Sequence, residues 1–183
     1  MSRFRWVITS LASSKGTPKT ETVRAVLSHF SIQRNFPQKW PRDKIWPLVE
    51  KMKLPSDPIS AVAALTNKFE ASTGQRNVSA ASKLLWMKLR HPIVIYDRRA
   101  ADALSCTRNV AYEEFHDVWL THFEMSRTDI DKAAKGLKTI PRSYTAAHAL
   151  DDATLDALVE EKWFKARIFD IWLWETGRQA KNM

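Results

Sequence analysis

One cysteine, four glycines and no long apolar run set the first limits on this 183-residue chain. A lone Cys106 excludes an internal disulfide framework and a four-cysteine zinc site, and a reducing compartment is its natural setting. No stretch approaches the roughly 20 apolar residues that span a bilayer. The opening segment, Met1–Ser14, has a short apolar run at Trp6, Val7 and Ile8, too brief and interrupted for a secretion signal. A cytoplasmic chain with no membrane contact is therefore expected. Neither an internal repeat nor a low-complexity tract is present. No segment alternates apolar and polar residues as a half-buried strand would, and only Pro92–Tyr96 reads as extended.

What the chain does contain is apolar bulk and positive charge. Hydrophobic residues make up 44%, enough for one domain over residues 1–183. A chain of this size buries roughly 70% of its unfolded surface, so neither metal nor disulfide is needed to hold it together. Lys and Arg number 29 against 20 Asp and Glu, a net charge of +9. Such an excess concentrates polyanions near the surface and speeds encounter with them. Ordinary solubility charge is the plain alternative.

Apolar spacing predicts an all-α, compact domain of helices joined by short, Pro-containing breaks. The expected helices are Thr20–Phe30, Arg42–Leu54 with Pro47 near its start, and Ile59–Ala71 capped by Ser56 or Asp57. A connection at Ser72–Asn77 leads to a helix over Val78–Arg90. Asp97 caps another to Leu104, and Asn109 and Ser126 are caps for Asn109–Glu124 and Ser126–Leu137. After a loop with Gly136 and Pro141, Asp151 and Asp152 open a long helix reaching Thr176, with Gly177 as its stop. Leu155, Leu158, Val159, Ala166, Phe169 and Leu173 form its apolar face, while Trp163, Trp172 and Trp174 are expected to pack.

The densest chemistry lies in Ser72–Leu104. A Gly74 turn precedes a helix bearing Lys83; a Pro-containing extended piece follows, and Asp97 comes 14 residues after Lys83. Ala80, Ala81, Leu84 and Leu85 surround the lysine with small or apolar groups. Desolvation of a lysine favours the neutral amine, the form that attacks carbon and forms Schiff bases. Arg98 and Arg99 suit phosphate contacts, and the amides of the Gly74 turn suit another. The plain alternative is a solvated Lys83 and an Asp97 that only caps its helix.

These residues resemble the catalytic core of the helix-hairpin-helix DNA glycosylase superfamily, most of all the compact archaeal type of 8-oxoguanine glycosylase. Val78–Lys83 is similar to the lysine-bearing helix, and Pro92–Arg98 to the segment ending in the family's aspartate. The resemblance covers Ser72–Leu104, under a fifth of the chain. It implies a helix-hairpin-helix-like element and DNA as partner, with one nucleotide flipped into a pocket. It further implies attack of Lys83 on the sugar C1′, stabilisation of sugar charge by Asp97, and β-elimination from the Schiff base as an added lyase step. No metal and no cofactor are implied.

The polar tip Gln75, Arg76 and Asn77 is a candidate for contacts to DNA, alongside Gly74, Arg98 and Arg99. Phe36, Trp40 and Trp46, in a Pro-rich stretch, are candidate walls of a base pocket. Lys132, Lys135, Lys138 and Arg142 form a candidate phosphate-facing stripe. His116 and His122 are six apart, which does not suit a shared metal on one helix face. The expectation is a monomeric glycosylase acting on double-stranded DNA with a modified base. That base is either oxidised guanine or a modified, for example glucosylated, cytosine of phage DNA in an antiviral defence role. The alternative is a non-enzymatic helical module that binds DNA or another protein.

Overall fold

The computed structural model describes residues 27–28, 30–32, 36–37, 39, 44–53, 56–139 and 151–179. Every regular element among them is helical and none is a strand, as the apolar spacing predicts. The span read as one domain contains two compact units, which meet in sequence at Ile93 and Val94.

The first unit contains α1 (Ile45–Glu50), α2 (Pro58–Thr73) and α3 (Val78–Leu89). Helix α2 starts where the Asp57 carboxylate accepts the Ser60 N–H at 2.6 Å, with Pro58 at its first position. Its inward face, Ala61, Val62, Leu65 and Phe69, is at most 1% exposed. Thr66 shares that burial because its hydroxyl donates to the Val62 carbonyl at 2.8 Å. Gly74 ends the helix at φ +71°, a conformation that favours glycine, with its N–H donated to Glu70 O at 2.8 Å. Helix α3 packs on α2, and six consecutive residues, Ala80–Leu85, are buried. Within the expected helix Arg42–Leu54, only Ile45–Glu50 is α-helical among the described residues. Pro47 is accommodated in the first turn, where backbone N–H groups lack intrahelical partners anyway. The Lys88 ammonium closes the other end, donating to the carbonyls of Val49 at 2.9 Å, Glu50 at 3.1 Å and Met52 at 3.4 Å.

The second unit contains α4 (Arg98–Ala103), α5 (Tyr112–Met125), α6 (Arg127–Gly136), a 3-10 turn at Leu137–Thr139, α7 (Asp152–Glu160) and α8 (Lys162–Gln179). The non-helical stretch before α4 is held on α5: Tyr112 Oη donates to Val94 O at 2.8 Å, and Tyr96 meets Phe115 edge-on at 5.0 Å. Helix α8 packs against α4, α6 and α7. Lys165 joins three helices by pairing with Asp131 of α6 and Glu160 of α7, both at 2.9 Å.

Several boundaries differ from expectation. Ala111, not Asn109, precedes α5, so the chain stays irregular for two residues longer. Ser126 sits between α5 and α6, but its side chain makes no capping bond, and Gly136 is helical rather than part of a loop. The long terminal helix is two helices. Asp151 starts α7 by accepting the Thr154 N–H at 2.7 Å; Glu161 is then extended (ψ 126°), and its carbonyl accepts the Phe164 and Lys165 N–H groups of α8. That single extended residue lets α7 lie on α6 while α8 follows α4.

Gly177 does not stop α8. It is buried inside the helix, and a Cβ there would lie 2.1 Å from the Arg99 carbonyl oxygen. Nor do all three tryptophans of α8 pack inward: Trp172 is 56% exposed and Trp174 41%. The predicted helix Thr20–Phe30 lies mostly outside the described residues, as do Trp40, Pro41, Pro141 and Arg142.

In an ordinary helix interior, Gly→Ala stabilises by about 0.5–1 kcal/mol. At Gly177 the sign reverses. Gly177→Ala is expected to lower stability by about 1–3 kcal/mol through overpacking against Arg99, read as a lower urea midpoint. A midpoint equal to or above wild type would show that the two backbones do not meet there.

Candidate functional site

Lys83 occupies the middle of α3 and is only 7% exposed. Ala80, Ala81, Leu84 and Leu85 around it are fully buried. Ser82, next to it in sequence, is fully buried as well. Lysines are rarely buried to this degree, because their ammonium hydration is lost.

The turn that feeds α3 is short and braced. Gln75 donates its N–H to Thr73 Oγ1 at 3.2 Å. Arg76 folds back on α2, reaching Asn67 Oδ1 at 3.2 Å and Glu70 Oε2 at 3.3 Å. Asn77 occupies the position before α3 and makes no capping bond with its side chain. Gly74, Gln75 and Arg76 are exposed, so the braced tip faces outward.

Asp97 lies in the second unit. Its backbone is extended (φ −136°, ψ 142°), and its carboxylate accepts the Arg99 N–H at 3.1 Å, capping α4. The two arginines beside it differ. Arg98 pairs with Asp102 at 2.7 Å and donates to the carbonyls of Thr107 and Arg108. Arg99 lies over the Trp174 ring at 4.2 Å from its centroid. Stacking occupies the flat face of a guanidinium and leaves its in-plane N–H groups clear of the ring.

Of the candidate pocket walls, Phe36 is 5% exposed and meets Phe69 edge-on at 5.0 Å, as core residues do. Trp46 is half-buried, and its indole N–H is shielded from solvent without a hydrogen-bond partner among the described residues. Trp40 lies outside the described residues. In the candidate basic stripe, Lys132 and Lys135 are exposed while Lys138 pairs with Asp156. Among the described residues, no three His, Cys, Asp or Glu side chains converge as a metal site requires, and no helix is long and apolar enough to cross a membrane.

A second ionic group in this unit was not singled out from sequence. Asp170 of α8 is 5% exposed; its Oδ1 accepts the Trp119 indole N–H at 2.9 Å, and its Oδ2 lies 3.9 Å from Arg167 Nη1. Burial drives the Asp170 carboxyl up to about 7. Arg167 and the Trp119 bond oppose that rise, and the Asp97 charge adds to it. Burial also lowers the Arg167 pKa, against the pull of Asp170 and Asp97. A signal was available in the pattern: Ala166, Phe169, Asp170 and Leu173 follow helical spacing, so a carboxylate stands in an apolar register.

No family model, curated protein or solved structure matches the chain.

The folded chain keeps the Asp170 proton up to about pH 7, whereas an unperturbed aspartate releases it near 3.8. Between those values the folded state binds more protons. The stabilisation from the protonated carboxyl is thus complete below about pH 4 and is lost as pH rises towards 7. Asp170→Asn removes the titration. Its stability relative to wild type should rise by on the order of 1 kcal/mol per pH unit between pH 5 and 7, then level off. Urea midpoints of both proteins across that range measure this, and a constant difference would exclude the titration.

Proposed function

We propose that this chain is a DNA glycosylase that excises a modified base from double-stranded DNA, with Lys83 as nucleophile and Asp97 as its carboxylate. The burial of Lys83 in α3 carries the proposal. A lysine only 7% exposed is uncommon, and a reactive amine is one use for such a residue. Support comes also from the order of parts. An outward Gly74 turn between packed helices leads to Lys83; a non-helical stretch then ends at Asp97, which caps the next helix.

The chemistry follows from these groups. The Lys83 amine attacks C1′ of a flipped nucleotide, and the glycosidic bond breaks, its electron pair leaving with the base. Asp97 offsets the positive charge that develops on the sugar. Loss of the amine proton and ring opening give a Schiff base. β-Elimination from it breaks the bond to the 3′ oxygen and nicks the strand. Oxidised guanine is the substrate closest to the resemblance; a glucosylated cytosine, as in modified phage DNA, is the second, and would place the enzyme in antiviral defence. The exposed Gly74–Arg76 tip and Arg99 are the proposed contacts to the DNA backbone, with the protein acting as a monomer.

The exposed Lys132 and Lys135 and the net charge of +9 equally suit a DNA-binding module without catalysis. Mass spectrometry separates the two. Wild type and Lys83→Ala are incubated with duplexes carrying 8-oxoguanine or glucosylated cytosine, and free base is measured. Wild type should release one of them, with a loss of roughly 100-fold or more in Lys83→Ala. Borohydride should trap wild type, but not the variant, on the same DNA. DNA binding without release of either base would favour the non-catalytic module.

A further inference from the structure

Helix α8 is apolar on more than the face it buries. Phe169, Leu173 and Gly177 turn inward, yet Ile171, Trp172 and Trp174 of the same stretch are 50%, 56% and 41% exposed. Residues two apart on a helix project about 200° from one another. The two tryptophans therefore flank the outward side of α8, with Ile171 between them.

Trp172 rests on Phe169, with ring planes 20° apart and centroids at 5.7 Å. With that face covered, an exposure of 56% requires the opposite face to be open. Trp174 carries the Arg99 guanidinium at 4.2 Å from its ring centroid, and the close approach of Gly177 holds the Arg99 backbone in place. Among the described residues, no carboxylate or carbonyl accepts from the Arg99 guanidinium. The acidic group on this side, Glu175, is engaged by Arg178 Nε at 3.1 and 2.9 Å. The Arg99 charge is thus left uncompensated beside two exposed indoles.

An uncompensated guanidinium suits an anion, and an open indole face suits a flat apolar ring. A nucleotide supplies both. In an intact duplex the base faces are hidden by stacking on one another, so unpaired bases are the ones that can lie on an indole. A second copy of the chain fits less well. Three side chains about half exposed present on the order of 300 Å², against roughly 800 Å² per partner in a stable complex.

We propose that the outward side of α8 at Ile171, Trp172 and Trp174, together with Arg99, binds single-stranded DNA. Bases stack on the indoles, and Arg99 holds a phosphate of the same strand. This binding needs neither Lys83 nor Asp97, and so serves a glycosylase and a non-catalytic module alike.

The test titrates the full chain into a short labelled single strand of mixed sequence and into the matching duplex. Affinity, tryptophan emission, thermal midpoint and mass in solution are measured for wild type, Trp172→Ala, Trp172→Phe, Trp174→Ala and Arg99→Gln. Wild type should bind the single strand with its emission quenched. Each Trp→Ala change should weaken that binding by on the order of 10-fold, while Trp172→Phe keeps most of it. Arg99→Gln should reduce the salt slope by about 0.7, the share of one phosphate on a single strand. Wild-type affinity in both Trp→Ala variants would overturn the proposal, as would binding without quenching or no binding of the strand at all. A wild-type dimer that Trp172→Ala dissociates would give the patch to a second copy instead. Base release is a separate measurement, so failure here leaves the assignment of Lys83 and Asp97 standing.

Discussion

Two helices can approach until their backbones touch only where the facing residue has no side chain. In the second unit that constraint falls on Gly177, against the Arg99 carbonyl. Once α8 is seated there, its other side chains have little choice. Trp174 lies beneath the Arg99 guanidinium, Phe169 and Leu173 fill the interior, and Arg167 and Asp170 are drawn out of water. The Arg167–Asp170 pair lies on this same helix, with Asp170 tied to Trp119 of α5.

Each unit contains polar groups whose burial is balanced differently. Lys88 is spent on three carbonyls at the end of α1, so its ammonium exchanges water for backbone oxygens. It closes a helix terminus and needs no further role. Asp170 keeps one good hydrogen bond, from Trp119, and answers burial by holding its proton. Lys83 lies five residues before Lys88, in a helix buried through six consecutive residues, Ala80–Leu85.

Much of the helical order was legible in sequence because it rests on local signals. Asp57, Gly74 and Asp97 act as the caps their residue types suggest, and Val62, Leu65 and Phe69 are buried as their spacing requires. What could not be read depends on tertiary contact. Gly177 has the form of a helix stop, and only the nearby Arg99 backbone explains a glycine within the helix. The break at Glu161 falls in a run of good helix formers, and what favours it is the packing of α7 on α6. At the candidate site, the burial of Lys83 follows from its alanine and leucine neighbours. Arg98 and Arg99 look equivalent in sequence, yet one faces Asp102 and the loop carbonyls while the other stacks on an indole.

The hydrogen bond between Trp119 and Asp170 has an optical consequence. The indole N–H points at a carboxyl that changes charge near neutral pH, within an aromatic group that includes Phe123 and Phe169. A charge appearing at that position alters the energy of the indole's excited state and the routes by which it decays. Of the chain's eight tryptophans, Trp119 is thus the one whose emission is coupled to the protonation of this buried aspartate, with no external label attached.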